Sequence, residues 1–244
     1  MQSSNLSPVE ISEMNEEISP PGLMLQLLEG RAGAEAARLM LAMPLLRMQS
    51  QKGHGEPVLV LPGFMADDHS TFVLRQFLIS IGYKSFPWGL GVNRKRMMDF
   101  LPQISKQTRD LSEKYAQKVR LIGWSRGGIL AREVARDYPD LVDRVITIGS
   151  PVKGGVNISS IGPLVQRETG MSSQQLSQIL RQRQQAAINV PIRAIYSKLD
   201  GVVSWKACID DLNKNVEHFE IRGSHVGMGT NLEVFKLLPK LLAE

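Results

Sequence analysis

The sequence predicts an α/β protein in which a mostly parallel sheet carries helices on both faces. Three observations point there. From residue 57 onward, short apolar runs alternate with stretches of helical periodicity. One of those runs leads directly into Gly123-Trp124-Ser125-Arg126-Gly127, a turn that opens a helix. The 244 residues, 43% hydrophobic and 22% charged, are enough for a substantial core. That composition excludes a mainly disordered, collagen-like or disulfide-stapled chain.

Residues 1–19 are polar, with Glu10, Glu13, Glu16 and Glu17, and are expected to form a mobile tail. A secretory signal needs a basic start and then an apolar stretch, and neither is present. No apolar run reaches the length of a membrane span, so the expectation is a soluble, cytoplasmic protein. From Leu23 to Met48 the chain turns apolar, with Leu23, Met24, Leu27 and Leu28, then Ala36, Leu39, Met40 and Met43 at helical spacing. Gly30 and Gly33 weaken that helix and Pro44 ends or kinks it. Such an arm either packs on the main domain or serves as a membrane-surface or dimer-forming element. Arg31, Glu35 and Arg38 give it only a thin polar face. Gln49 to Glu56 is a polar connector. The expected division is a tail and helical arm over residues 1–56 and a main domain over 57–244.

In the main domain, Pro57-Val-Leu-Val-Leu61 reads as a buried strand ending at Pro62-Gly63. Thr71 to Ile81 is helical. Lys95 to Tyr115 has the best helical period, through Met97, Leu101, Ile104, Thr108, Leu111 and Tyr115, with Pro102 marking a start or a kink. Strands follow at 119–122, 141–148, 192–196 and 216–221. Gly128 to Tyr138 is a helix, and a last helix starts at Thr230, where Thr230-x-x-Glu233 has capping-box spacing. The alternation breaks once, over residues 152–190. That insertion holds a helix, 174–187, preceded by Ser172-x-x-Gln175, and is either a lid-like cover or a surface excursion.

The chemistry centres on Ser125. A nucleophilic serine must stand clear of the sheet on a sharp strand-to-helix turn, where backbones crowd together, and Gly123 and Gly127 remove the side chains that would clash. The helix N-terminus favours developing negative charge. A serine hydroxyl also needs a base, and the base an orienting carboxylate. Of the four histidines, His54 and His69 come too early and His218 lies inside a strand. His225, in Gly223-Ser-His-Val-Gly227 after the last strand, has the required order. Asp200, in the loop after strand 192–196, is the candidate acid, with a plain turn role as the alternative. Asp140 and Asp143 lie at the wrong end of their strand, and Asp210 and Asp211 are expected on a helix. The oxyanion hole is assigned to the backbone N–H of Arg126 and to that of Phe64, with Met65 as the alternative to Phe64.

These blocks carry a resemblance. Val58-Leu-Val-Leu-Pro-Gly-Phe64, Gly123-Trp-Ser-Arg-Gly-Gly128, Ile148-Gly-Ser-Pro151, Asp200-Gly-Val-Val203 and Gly223-Ser-His-Val-Gly-Met228 are similar to a bacterial lipase- or esterase-type member of the α/β-hydrolase fold, over about residues 57–242. The resemblance implies a Ser–His–Asp triad, no cofactor, and ester or lipid-like small-molecule substrates. Many members have His-Gly where this chain has Pro62-Gly63. The expected function is a serine carboxylic-ester hydrolase working through an acyl-enzyme. Acyl transfer from the same intermediate, or a non-catalytic binding role on the same fold, are the alternatives.

Other classes find little support. The net charge of +5 and the short Arg94-Lys95-Arg96 cluster fit a solvated face rather than nucleic-acid binding, while leaving weak contact with an acidic membrane surface open. Gly89-x-Gly91 lacks the rest of a dinucleotide site. No metal motif is found. Cys208, the one cysteine, excludes an internal disulfide and reads as a small core residue.

Overall fold

The computed structural model describes residues 18–153 and 158–244. The expected N-terminal tail therefore lies, but for its last residues, outside the described part. The chain runs through α1 (Leu23–Leu27), a 3-10 turn (Leu28–Arg31) and α2 (Ala32–Gln49). It continues through β1 (Pro57–Leu61), α3 (Phe72–Ser80), β2 (Lys84–Pro87), α4 (Met97–Tyr115), β3 (Val119–Trp124), α5 (Arg126–Asp137) and β4 (Val142–Ile148). Then come α6 (Gly162–Thr169), α7 (Ser173–Gln184), β5 (Ile192–Tyr196), β6 (Val216–Glu220) and α8 (Leu232–Ala243). Short 3-10 turns occur at Trp205–Cys208 and Val226–Thr230.

Among the described residues the strands form one six-stranded sheet in the order β2-β1-β3-β4-β5-β6, and every paired strand is parallel. Parallel strands joined by helices must be covered on both faces. Alternate strand residues accordingly feed two separate cores. Val58, Val60, Ile122, Ile146 and Ile195 pack with Leu39 and Met43 of α2, Phe77 of α3 and Phe235 of α8. Leu59, Leu61, Leu121 and Val145 pack with Phe100 and Ile104 of α4 and with Leu130 and Val134 of α5. This is the α/β-hydrolase arrangement expected from the sequence.

Several boundaries differ from the sequence-based expectation, each for a physical reason. Strand β2 was not foreseen. It is four residues long, begins at an exposed lysine and pairs only with β1 at the sheet edge, which is where a proline such as Pro87 is tolerated. Helix α6 was also missed, being short and half polar. Helix α8 is capped by Asn231, whose Oδ1 accepts from the N–H groups of Glu233 (2.8 Å) and Val234 (3.4 Å). Thr230 closes the preceding 3-10 turn instead, and the Glu233 carboxylate accepts from the Arg222 N–H at 3.0 Å. Asp210 and Asp211 lie in a loop rather than on a helix. The capping box of α7 forms as expected, the Ser172 hydroxyl accepting from the Gln175 N–H while the Gln175 side chain accepts from the Ser172 N–H. The arm changes to 3-10 geometry at Gly30, whereas Pro44 is accommodated inside α2 and Pro102 inside α4.

The arm packs on the main domain through Leu39, Met43 and Leu46. Its opposite side leaves Leu41 and Met48 about four-fifths exposed. Among the described residues no helix is long and apolar enough to cross a membrane. Cys208 lies in a third small cluster with Ile158, Tyr196, Val203, Ala207 and Ile209. Burial and the nearby Asp200 charge push its thiol pKa well above the ordinary range.

Candidate active site

Ser125 sits between the end of β3 and the start of α5 with φ 53° and ψ −124°. A non-glycine residue at positive φ costs on the order of 1–3 kcal/mol and persists only where its surroundings enforce it. Here the Ser125 N–H donates to the Ile148 carbonyl at 2.7 Å, which ties the turn to β4. The flanking glycines are required by space. A Cβ on Gly123 would lie 2.3 Å from the backbone of Gly127 and Gly128, and one on Gly127 would lie 2.3 Å from the Leu61 carbonyl oxygen. Among the described residues the Ser125 hydroxyl has no hydrogen-bond partner, and it faces a pocket.

Asp200 and His225 come from loops that follow β5 and β6, and both are buried. His225 Nδ1 lies 2.6 Å from Asp200 Oδ2. The other Asp200 oxygen accepts from the N–H groups of Val202 (2.8 Å) and Val203 (2.7 Å), which fixes the carboxylate. With Nδ1–H donating to Asp200, Nε2 is the nitrogen left as an acceptor. Burial alone would lower the His225 pKa. The Asp200 charge, its hydrogen bond and the Glu29 charge outweigh burial and raise it above the ordinary 6.5. Trp124, the neighbour of Ser125, donates its indole N–H to the His225 carbonyl at 3.2 Å and sets its ring 6.2 Å from the imidazole. The structure thus gathers Ser125, Asp200 and His225 at one end of the sheet. No hydrogen bond joins Ser125 to His225 in this arrangement.

The loop after β1 lies against the turn, since a Cβ on Gly63 would be 3.3 Å from that of Ser125. The Met65 N–H is spent on the Asn93 carbonyl at 2.9 Å, which removes it as an oxyanion donor. Among the described residues the Phe64 and Arg126 N–H groups have no acceptor. Asn93, which sequence reasoning passed over, is fully buried and donates to the Pro62 carbonyl at 2.9 Å, so it shapes this loop. The Arg126 side chain bends away to the Lys95 carbonyl, with its guanidinium 5.3 Å from the Phe64 ring. Burial lowers its pKa to about 10 against the opposing charge of Asp99.

The pocket at Ser125 encloses about 840 Å³, open mouth included. Apolar side chains dominate it, among them Phe64, Met97, Ile129, Val165, Leu176 and Leu180. Ile129 comes from α5, Val165 from α6, and Leu176 and Leu180 from α7, in addition to Phe64 from the β1 loop, so the 152–190 insertion supplies one of its walls.

The remaining candidates fall elsewhere. The His69 side chain is 96% exposed beside Asp67. His218 accepts the Asp210 N–H at 2.9 Å through Nε2, and burial holds its pKa below the ordinary value. Asp143 pairs with Arg120 and Arg144, and Asp210 with Arg132. Sequence reasoning also missed Glu29. Its carboxylate accepts from the backbone N–H groups of Gly201 (2.8 Å), His225 (2.8 Å) and Val226 (2.9 Å). No motif announces it, because its partners are backbone groups roughly 170 to 200 residues away, a separation that only the fold can close. Among the described residues no cluster of three or more His, Cys, Asp or Glu side chains could hold a metal ion.

A family model described as palmitoyl protein thioesterase matches residues 57–198. No curated protein matches the chain in sequence. Among solved structures, the Bacillus licheniformis lipase BlEst2 in mature form is similar at a TM-score of 0.60 and 15% identity, over 80% of this chain and 94% of that one. Aspergillus fumigatus lipase B is similar at 0.62 and 16%, over 79% of this chain and 54% of its own. The thioesterase domain from the curacin biosynthetic pathway gives 0.55 and 16%, over 80% and 93%. At such identities these likenesses speak for the shared fold.

Proposed function

The chain belongs to the palmitoyl protein thioesterase family, and from that premise we propose that it is a serine hydrolase of acyl esters and thioesters, with Ser125 as nucleophile, His225 as base and Asp200 as the orienting acid. The observation that carries the proposal is the buried His225–Asp200 hydrogen bond of 2.6 Å, poised beside a serine on a strained turn at the mouth of an apolar pocket. In the proposed reaction His225 Nε2 takes the hydroxyl proton as Ser125 Oγ attacks the acyl carbonyl. The N–H groups of Phe64 and Arg126 stabilise the oxyanion. Collapse expels the alcohol or thiol with the proton from His225. Water, deprotonated by His225, then cleaves the acyl-Ser125 ester and releases the acid.

The lining favours long acyl chains, and the 152–190 insertion acts as their cover. A pocket that excludes water around the acyl tail converts buried methylenes into binding, at about 0.8 kcal/mol each. Labelling with a fluorophosphonate probe, read by peptide mass, tests the nucleophile. Wild type is expected to be modified at Ser125, and Ser125→Ala to lose labelling together with roughly 1000-fold or more of its turnover. An unmodified Ser125 in folded protein would sink the proposal. A panel of esters and thioesters from acetyl to palmitoyl tests the pocket. Turnover that peaks at acetyl, or a Leu180→Arg variant that handles long chains as wild type does, would refute the acyl-chain preference and the cover.

A further inference from the structure

Two carboxylates of the arm reach into the loops that carry Asp200 and His225. Glu29 bridges them, accepting from Gly201 on one side and from His225 and Val226 on the other. Glu35 accepts from the Ser224 N–H at 2.9 Å and from the Asn231 side-chain amide at 3.1 Å. Arg31 ties the arm down by donating to Glu35 (3.1 Å) and to the Leu199 carbonyl (2.8 Å). The fit is close: a Cβ on Gly201 would lie 2.3 Å from the Leu25 carbonyl oxygen, and one on Gly227 would lie 2.2 Å from a Glu35 carboxylate oxygen. None of the residues that line the pocket belongs to the arm.

We propose that the arm is a positioning device for the active site, in which Glu29, supported by Glu35, holds the Asp200 and His225 loops at the spacing their hydrogen bond requires. The proposal rests on the triad reading above. The N–H groups of Gly201, His225 and Val226 lie beyond the strand ends and need acceptors, and a carboxylate makes charge-assisted bonds to them. One carboxylate that serves both loops couples their positions. A displacement of about 1 Å at either loop would misalign the proton-transfer path at a cost near 100-fold.

The device also has an electrical side. The titratable and charged groups facing His225 are Asp200 from the β5 loop and Glu29 from the arm, with Glu35 and Arg31 behind the same backbone. Glu29 acts on the imidazole in the same sense as Asp200, favouring its protonated form.

The full chain is assayed on a soluble short-chain ester, with kcat, KM and the pH profile of kcat/KM measured beside thermal unfolding. Glu29→Ala is expected to lose about 10- to 100-fold in kcat with KM within about twofold. Glu29→Gln keeps an acceptor oxygen but not the charge. It is expected to retain most of the rate while the acid limb of kcat/KM moves to lower pH. Leu41→Ser, on the outer side of the same arm, leaves rate and limb unchanged. A purely structural arm would lower the unfolding temperature in Glu29→Ala without separating kcat from KM or moving the Glu29→Gln limb. That result, or wild-type kinetics in both Glu29 variants, overturns the proposal. Should Glu29→Ala fail to fold, the Glu29→Gln limb alone decides. Failure of the triad reading is distinct, because wild type itself would then show no labelling at Ser125.

Discussion

His225 lies between two carboxylates, one on its ring and one on its backbone, and this sets its working range. In the proposed mechanism only the neutral imidazole accepts the Ser125 proton, so activity is expected to fall as pH drops through the His225 pKa. Since Asp200 and Glu29 raise that pKa despite burial, the acid limb of kcat/KM is expected above pH 6.5. A profile from pH 5 to 9 checks this, and a limb below 6.5 would contradict it. Asp200→Asn removes the charge and inverts the hydrogen bond to Nδ1, leaving the imidazole in the wrong tautomer. It is expected to lower kcat by about 10,000-fold and to shift the limb downward. That Ser125, Asp200 and His225 come together was legible in the sequence, because chain order and strand–turn–helix context select them. Glu29 and Asn93 were not, because both act on backbone groups and nothing in the local sequence distinguishes them from surface polar residues.

At the scale of the element, the turn between β3 and α5 is a close packing of three backbones. The Gly127 Cα approaches the last residue of β1 so nearly that a methyl group has no space. Backbone carbonyls cannot rotate aside as a long side chain can, so Gly127→Ala must push α5 away from the sheet. Thermal unfolding is expected to show a loss on the order of 3 kcal/mol or more, with activity lost in whatever protein folds. A fully stable, active variant would mean that the helix can shift freely. The elements with a strong pattern, the largely buried strands β1, β3 and β4 and the amphipathic α4, were readable to within two or three residues. Those that were missed, β2 and α6, are short and half-exposed, so they owe their form to neighbours rather than to their own pattern. The start of α8 was misread because two capping residues stand side by side, and the 3-10 turn ending at Thr230 leaves Asn231 as the one with free geometry.

On the scale of the whole molecule, residues far apart in the chain meet at one end of the sheet. The arm precedes the segment matched by the family model, and His225 follows it. The sequence allowed the arm either to pack on the domain or to serve as an outside surface. Its long helix does the first with one side and leaves the other side apolar and open. The alternation of the chain was enough to foresee the parallel sheet, and the helical spacing of Leu39 and Met43 hinted at the arm's packing, whereas its carboxylate contacts with the Asp200 and His225 loops follow from no periodicity.

Cys208 has a practical consequence. It is the only thiol in the chain, it is closed in by Ile158, Tyr196 and Val203, and burial keeps it protonated. An alkylating reagent needs an exposed thiolate, so modification has to wait for the segment behind the Asp200 loop to open. The protein therefore carries a built-in clock. The rate at which a disulfide reagent titrates one equivalent of thiol from native protein reports how often that corner breathes. It should be slow, rising steeply in denaturant, and prompt reaction in native buffer would show that the corner is never truly shut.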